Sequence, residues 1–163
     1  MTEHHRKLFL HMPKEIFDPW IDAKFQLAGW TYPASDSDLI GWSRRHCGFT
    51  LRELADFRWT HGIYALKQLH YLSIIEAQQL MQFSLTGQPA RLAEIHNTQK
   101  RFSAATDFIR ENRRIPVSLA GIGKDGAIEI LDGFHRLAAL FHVTNQKVQV
   151  PDEIPIWVAS CAA

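Results

Sequence analysis

Two apolar runs flank Gly123-Lys124-Asp125-Gly126, and the second passes straight through Asp132-Gly133 into an apolar pattern of helical period. No other part of the chain limits its fold so tightly. Asp-Gly supplies the positive φ that tight hairpin turns need. RIPVSLAGI (114–122) and AIEIL (127–131) therefore read as two strands joined at GKDG (123–126). DGFHRLAALFHV (132–143) follows at once as a helix with Leu137, Leu140 and Phe141 inward. KVQVPDEIPIWVAS (147–160) ends in a further strand, IPIWVA. Ahead of the hairpin, TQKRFSAATDFIREN carries Phe102, Ala105, Phe108 and Ile109 at helical spacing, continuing a pattern from Leu92 and Ile95. The order helix, strand, turn, strand, helix, strand belongs to an α+β domain, a small mixed sheet covered by helices.

The first half of the chain is punctuated differently. RKLFLHM (6–12) reads as a short strand ended by Pro13, and DPWIDAKFQLAGW (18–30) as a helix with Pro19 in its first turn. TYPASDSD (31–38) is a turn-rich loop. TLRELADF (50–57) opens with a capping box, Thr50 with Glu53, and reads as a short helix. HGIYALKQLHYL (61–72) fits a strand or a helix, with Gly62 tipping it towards strand. SIIEAQQLMQFSLTG (73–87) starts with a second capping box, Ser73 with Glu76, and stops at Gly87. Residues 1–60 hold four of the five tryptophans and read as an aromatic-rich helical extension packed on a core domain of residues 61–163.

Composition narrows the class of function. With 163 residues, 46% hydrophobic and 21% charged, the chain is globular, and a formal net charge of +1 gives no overall pull towards nucleic acid or membrane. Cys47 and Cys161 match no zinc or redox spacing, and the nine histidines form neither H-x₃-H nor HExxH. No apolar run approaches the roughly 20 residues that span a bilayer. The expectation is a soluble, cytoplasmic protein with no membrane contact. One stretch is locally basic: residues 91–114 hold six Lys and Arg against three acids. It reads as a solvated helix face or a surface for a DNA backbone.

EILDGFHRLAAL (129–140) raises a chemical question. His135 and Arg136 stand in the first turn of a helix, where the dipole already disfavours cations. A bound anion resolves the conflict. Asp132 is placed to cap the helix, Gly133 to let a ligand approach the backbone, and the free amides of the first turn to cradle phosphate. Arg136 adds a forked contact and His135 a second donor. Asp132, Gly133, Phe134, His135 and Arg136 are thus the candidate phosphate-binding residues, beside the plainer reading of an ordinary capped helix. Asp132 is also a candidate for holding Mg²⁺ through water, and Glu129 a weaker one.

RIPVSLAGIGKDGAIEILDGFHRLAALFHV and VPDEIPIWVA together resemble the core of the ParB/sulfiredoxin superfamily. That superfamily has a strand, a turn, a second strand ending in a Gly-x-[His/Arg]-Arg box, a helix and a closing strand. TQKRFSAATDFIREN occupies the place of its preceding helix, and YALKQLHYLSIIE resembles the opening strand of the free-serine kinase branch. The likeness spans about residues 61–160. It implies a ParB/sulfiredoxin-like fold that binds ATP or ADP with Mg²⁺ at the box. Sulfiredoxins carry a nucleophilic cysteine where this chain has Phe134, which argues against sulfinic acid reduction. The chromosome-partitioning members carry a Glu there, which puts CTP switching in doubt. The Asp-Gly-x-His-Arg form is closest to the kinase branch and to plasmid-encoded ParB-like proteins, some with ATPase and DNase activity. Glu76 lies where the kinase branch has its catalytic carboxylate, so Glu76 and His135 are the catalytic candidates.

Three functions follow. The first is ATP binding and hydrolysis, with DNase activity in a plasmid or DNA-transfer setting. The second is a non-catalytic protein- or DNA-binding module whose partner docks on the tryptophan-rich extension. The third is a free amino-acid kinase acting on serine.

Overall fold

The computed structural model describes residues 11–18, 48–49, 51–71, 80, 82, 85–86 and 98–160. Their elements are α1 (Lys14–Ile16), α2 (Leu51–Asp56), β1 (Arg58–Ala65), a 3₁₀ turn (Leu66–Gln68), β2 (Leu69–Tyr71), α3 (Thr98–Asn112), β3 (Leu119–Lys124), β4 (Ala127–Asp132), α4 (Phe134–Asn145) and β5 (Glu153–Ser160). Residues 80, 82, 85 and 86 are helical, and Thr86 Oγ1 donates to the carbonyl of Gln82 across one helical turn (3.0 Å). The fold is α+β, with a five-stranded mixed sheet in the order β1-β5-β3-β4-β2. No helix among the described residues is long and apolar enough to cross a membrane.

The hairpin forms where Asp-Gly predicts it. Asp125 (φ 50°) and Gly126 (φ 80°) both take the left-handed conformation, as a primed turn requires, and β3 pairs with β4 antiparallel from Lys124↔Ala127 onward. β5 runs parallel to β3 and antiparallel to β1, and β2 runs parallel to β4. Ile154 and Ile156 of β5, Leu119 of β3, Ile128 and Ile130 of β4 and Leu69 of β2 are all buried. They join Phe102, Ala105 and Ile109 of α3 and Leu137, Ala138 and Leu140 of α4 in one core. Met12, Ile16, Phe17, Leu54 and Phe57 from the N-terminal part belong to the same buried cluster. Pro155 sits in β5 just before its ladder with β3 begins at Ile156, so its missing N–H has no β3 partner to lose.

Three expectations change. RIPVSLAGI enters the sheet only at Leu119, because Arg113 ends α3 in a left-handed cap and Pro116 follows in an irregular stretch. HGIYALKQLHYL is two strands, on opposite edges of the sheet, and the first begins already at Arg58. The break is stabilised by Gln68, whose Oε1 accepts from the Ala65 amide (2.9 Å), and by Leu66 N donating to the Asp152 carbonyl (3.0 Å). Of the expected strand 6–12, residues 11 and 12 form a turn, and a helix starts directly after Pro13. Residues 19–30, the capping residues Thr50 and Ser73, and Leu92 and Ile95 lie outside the described residues.

The split strand also dictates the sheet's shape. Flat, four strand spacings of about 4.8 Å and a register offset of about seven residues at about 3.3 Å would part Ala65 and Leu69 by roughly 30 Å. Four residue steps reach at most about 14 Å. The sheet must therefore coil strongly, bringing its two edge strands towards each other like a barrel left open along one seam.

Candidate functional site

The site is positioned by an irregularity in β4. The ladder runs Gly121↔Ile130 and then Ala120↔Asp132, so Leu131 is an extra residue. A bulge of this kind re-aims the side chains beyond it. Leu131 is fully buried, and Asp132 turns to the face it shares with Ala120. Gly133 then takes φ 97° and ψ 24°, α4 starts at Phe134, and the Leu137 amide donates to the Gly133 carbonyl at 2.8 Å. The cap position expected for Asp132 is held by Gly133, one residue later.

Arg136 occupies the space over this turn. Its Nη2 donates to Asp132 Oδ2 at 3.0 Å, with only 16% of the arginine side chain and 14% of the aspartate side chain exposed. A Cβ built on Gly133 would lie 2.8 Å from Arg136 Nη2, 3.0 Å from Nε and 2.5 Å from Leu119 Cδ2. Glycine is thus required twice, for the left-handed backbone and for the guanidinium folded against it. A partly buried, charge-assisted bond of this kind stabilises by roughly 1–3 kcal/mol, which an anion competing for Arg136 has to exceed.

The other predicted residues divide clearly. The Phe134 side chain is buried in the core, so what it can offer an anion is its backbone amide. His135 is half-buried, and its Nε2 is closed off from solvent. Glu129, on β4, accepts from Lys124 Nζ across the hairpin at 3.2 Å. Glu76 lies outside the described residues. The structure therefore brings Asp132, Gly133 and Arg136 into direct contact, and leaves Glu129 in an ion pair of its own.

Asp132 and Glu129 do not make a fitting pair for a resident Mg²⁺. Each is already held by a cation, and among the described residues no group of three or more His, Cys, Asp or Glu side chains is placed to hold a metal. On the basic stretch, residues 91–97 lie outside the described residues, whereas Lys100, Arg101, Arg110, Arg113 and Arg114 are exposed on α3 and just beyond it. Arg110 pairs with Asp107 (3.8 Å) and donates to Gln146, the residue that caps the end of α4, and the Arg114 guanidinium sits 5.6 Å from the centre of the Phe108 ring.

Sequence reasoning missed the contact between Asp132 and Arg136. Its signal was present, since the two stand four residues apart, the spacing at which opposite charges meet on a helix. The intervening left-handed glycine hid it, because Asp132 itself lies outside the helix. Comparison with known proteins returned no matching family model, no matching curated protein and no matching solved structure.

Proposed function

We propose that the turn from Asp132 to Arg136 receives the phosphates of ATP or ADP in a ParB/sulfiredoxin-like protein that hydrolyses ATP. The observation that carries this reading is the Arg136 guanidinium lying over Gly133, which brings a cation to the N-terminal end of α4. The hairpin, the helix that follows it and the closing strand agree with the arrangement such proteins share. A polyphosphate would take Arg136 from Asp132, gain the forked contact and accept from the first-turn amides. Glu76 is the carboxylate that would orient the attacking water, and positioning and charge neutralisation would supply most of the rate. Mg²⁺ would enter with the nucleotide. A DNase activity, with the basic 91–114 stretch following a DNA backbone, extends the same reading.

Calorimetric titration with ATP, with and without Mg²⁺, tests it. Arg136→Ala should weaken binding at least tenfold, or about 1.4 kcal/mol. A variant that binds as tightly as the parent would remove the site. Glu76→Gln should abolish turnover and leave binding intact. If hydrolysis is unchanged in Glu76→Gln, the assigned carboxylate is wrong.

The Asp132–Arg136 pair also favours a second reading, because it satisfies Arg136 from within the chain. There the nucleotide fold serves as a scaffold, and a protein partner or DNA docks elsewhere, for instance on the N-terminal extension. Absence of both ATP binding and turnover would leave only this module. ATP consumption that rises with free serine would instead point to the amino-acid kinase.

A further inference from the structure

We propose that a second ligand site, separate from the β4–α4 turn, lies in the open surface cleft lined by Arg113, Gln149, Val150 and Pro151, and that it takes a small organic anion. The cleft measures about 380 Å³, within the range of roughly 300–1,000 Å³ typical of small-molecule pockets. It lies where the end of α3 meets the connection from α4 to β5. α4 has 12 residues, so its two ends are about 18 Å apart, and the cleft belongs to the end away from Gly133.

Arg113 gives the cleft its chemistry. Its amide donates to the Ile109 carbonyl at 2.9 Å, closing the last turn of α3, and its φ is 56°. This is the left-handed cap position that glycine fills most often, because a Cβ is strained there. A long cationic side chain is kept at a point where the backbone favours none. Helix-end electrostatics alone do not require it, because Arg110 and Arg114 already bring charge to this end. Those two are engaged, with Asp107 and Gln146 in one case and with the Phe108 ring in the other. The Arg113 side chain has no ion pair or hydrogen bond among the described residues.

The lining defines the ligand. The guanidinium matches a carboxylate or phosphate group, the Gln149 amide offers a further hydrogen bond, and Val150 and Pro151 present an apolar surface. The occupant is therefore a compact molecule with one oxyanion group and an apolar body. A DNA backbone suits it less well, because its phosphates would meet the exposed cations of α3 and leave the apolar lining uncovered.

Backbone amide shifts in ¹H–¹⁵N spectra of the full chain test this with three probes of similar body: benzoate, phenyl phosphate and uncharged benzyl alcohol. One or both anions should shift residues 113, 149 and 150 saturably, and benzyl alcohol should not. Which anion responds identifies the oxyanion. Arg113→Gly should lose at least tenfold in affinity while its melting temperature stays the same or rises. Arg113→Gln, which keeps the cap conformation and removes the charge, should lose the same affinity. Arg136→Ala should leave the response untouched, so the outcome is independent of the nucleotide site. The proposal is overturned if neither anion gives a saturable shift, if benzyl alcohol shifts these amides equally, or if Arg113→Gln binds undiminished. A response of these amides to a short DNA duplex but to neither small anion overturns it too.

Discussion

Gly133 shows how much a single position can decide, and how little of that decision is visible in one letter. Asp-Gly before a helical pattern announces a special backbone, and the left-handed conformation is there. The use made of the missing side chain is different from the one expected. The space is filled by Arg136 and Leu119 of the same chain. Gly133→Ala should therefore combine left-handed strain with a clash against Leu119, destabilising by about 2–4 kcal/mol. A melting experiment that found it neutral would contradict the packing of this turn. Thr106 makes the opposite case. It is buried in the middle of α3, and its Oγ1 has no hydrogen-bond partner among the described residues. Burying a hydroxyl unsatisfied is unfavourable, so Thr106→Val should stabilise by about 1 kcal/mol and raise the melting temperature by roughly 2–4 °C. A lowered melting temperature would mean that the hydroxyl has a partner, such as a buried water.

Among the elements, those specified by local chemistry were legible in the sequence. The Asp-Gly turn, the apolar period of α3 and α4, and the alternation in IPIWVA all become the expected hairpin, helices and strand. Elements decided by distant partners were not. Nothing local in HGIYALKQLHYL says that its two halves join opposite edges, because that depends on β5 and β4 supplying the neighbours. The bulge at Leu131 is equally non-local, since it exists only in the pairing of β3 with β4. Gln68 gives this level a test. Its side chain satisfies the Ala65 amide where β1 gives way to β2. Gln68→Ala should cost about 1 kcal/mol. Amide exchange should quicken at residues 69–71 and stay unchanged in β3 and β5. Uniform quickening across the sheet would show that the turn is not a separate hinge.

Over the whole molecule, the buried cluster draws on residues of the N-terminal part as well as on the sheet and its helices. Met12, Ile16 and Phe17 are as buried as the centre of the sheet. Phe17→Ala should cost about 3–5 kcal/mol, a large share of the roughly 5–15 kcal/mol by which a domain is stable. A shortened protein starting at residue 61 should therefore melt without a cooperative transition in circular dichroism. A sharp transition in that fragment would show that the first sixty residues are dispensable to the fold. The position of β5 has a consequence in time. It separates β1 from β3 in the sheet, yet of the five described strands it is the one made last. While the ribosome is still adding residues, β1 has emerged with its intended neighbour unmade, and an eight-residue stretch of open backbone must wait. Closure comes only when residues 153–160 slide into the gap, so any stall in synthesis before that point leaves a sticky, half-built sheet for the cell's chaperones to guard.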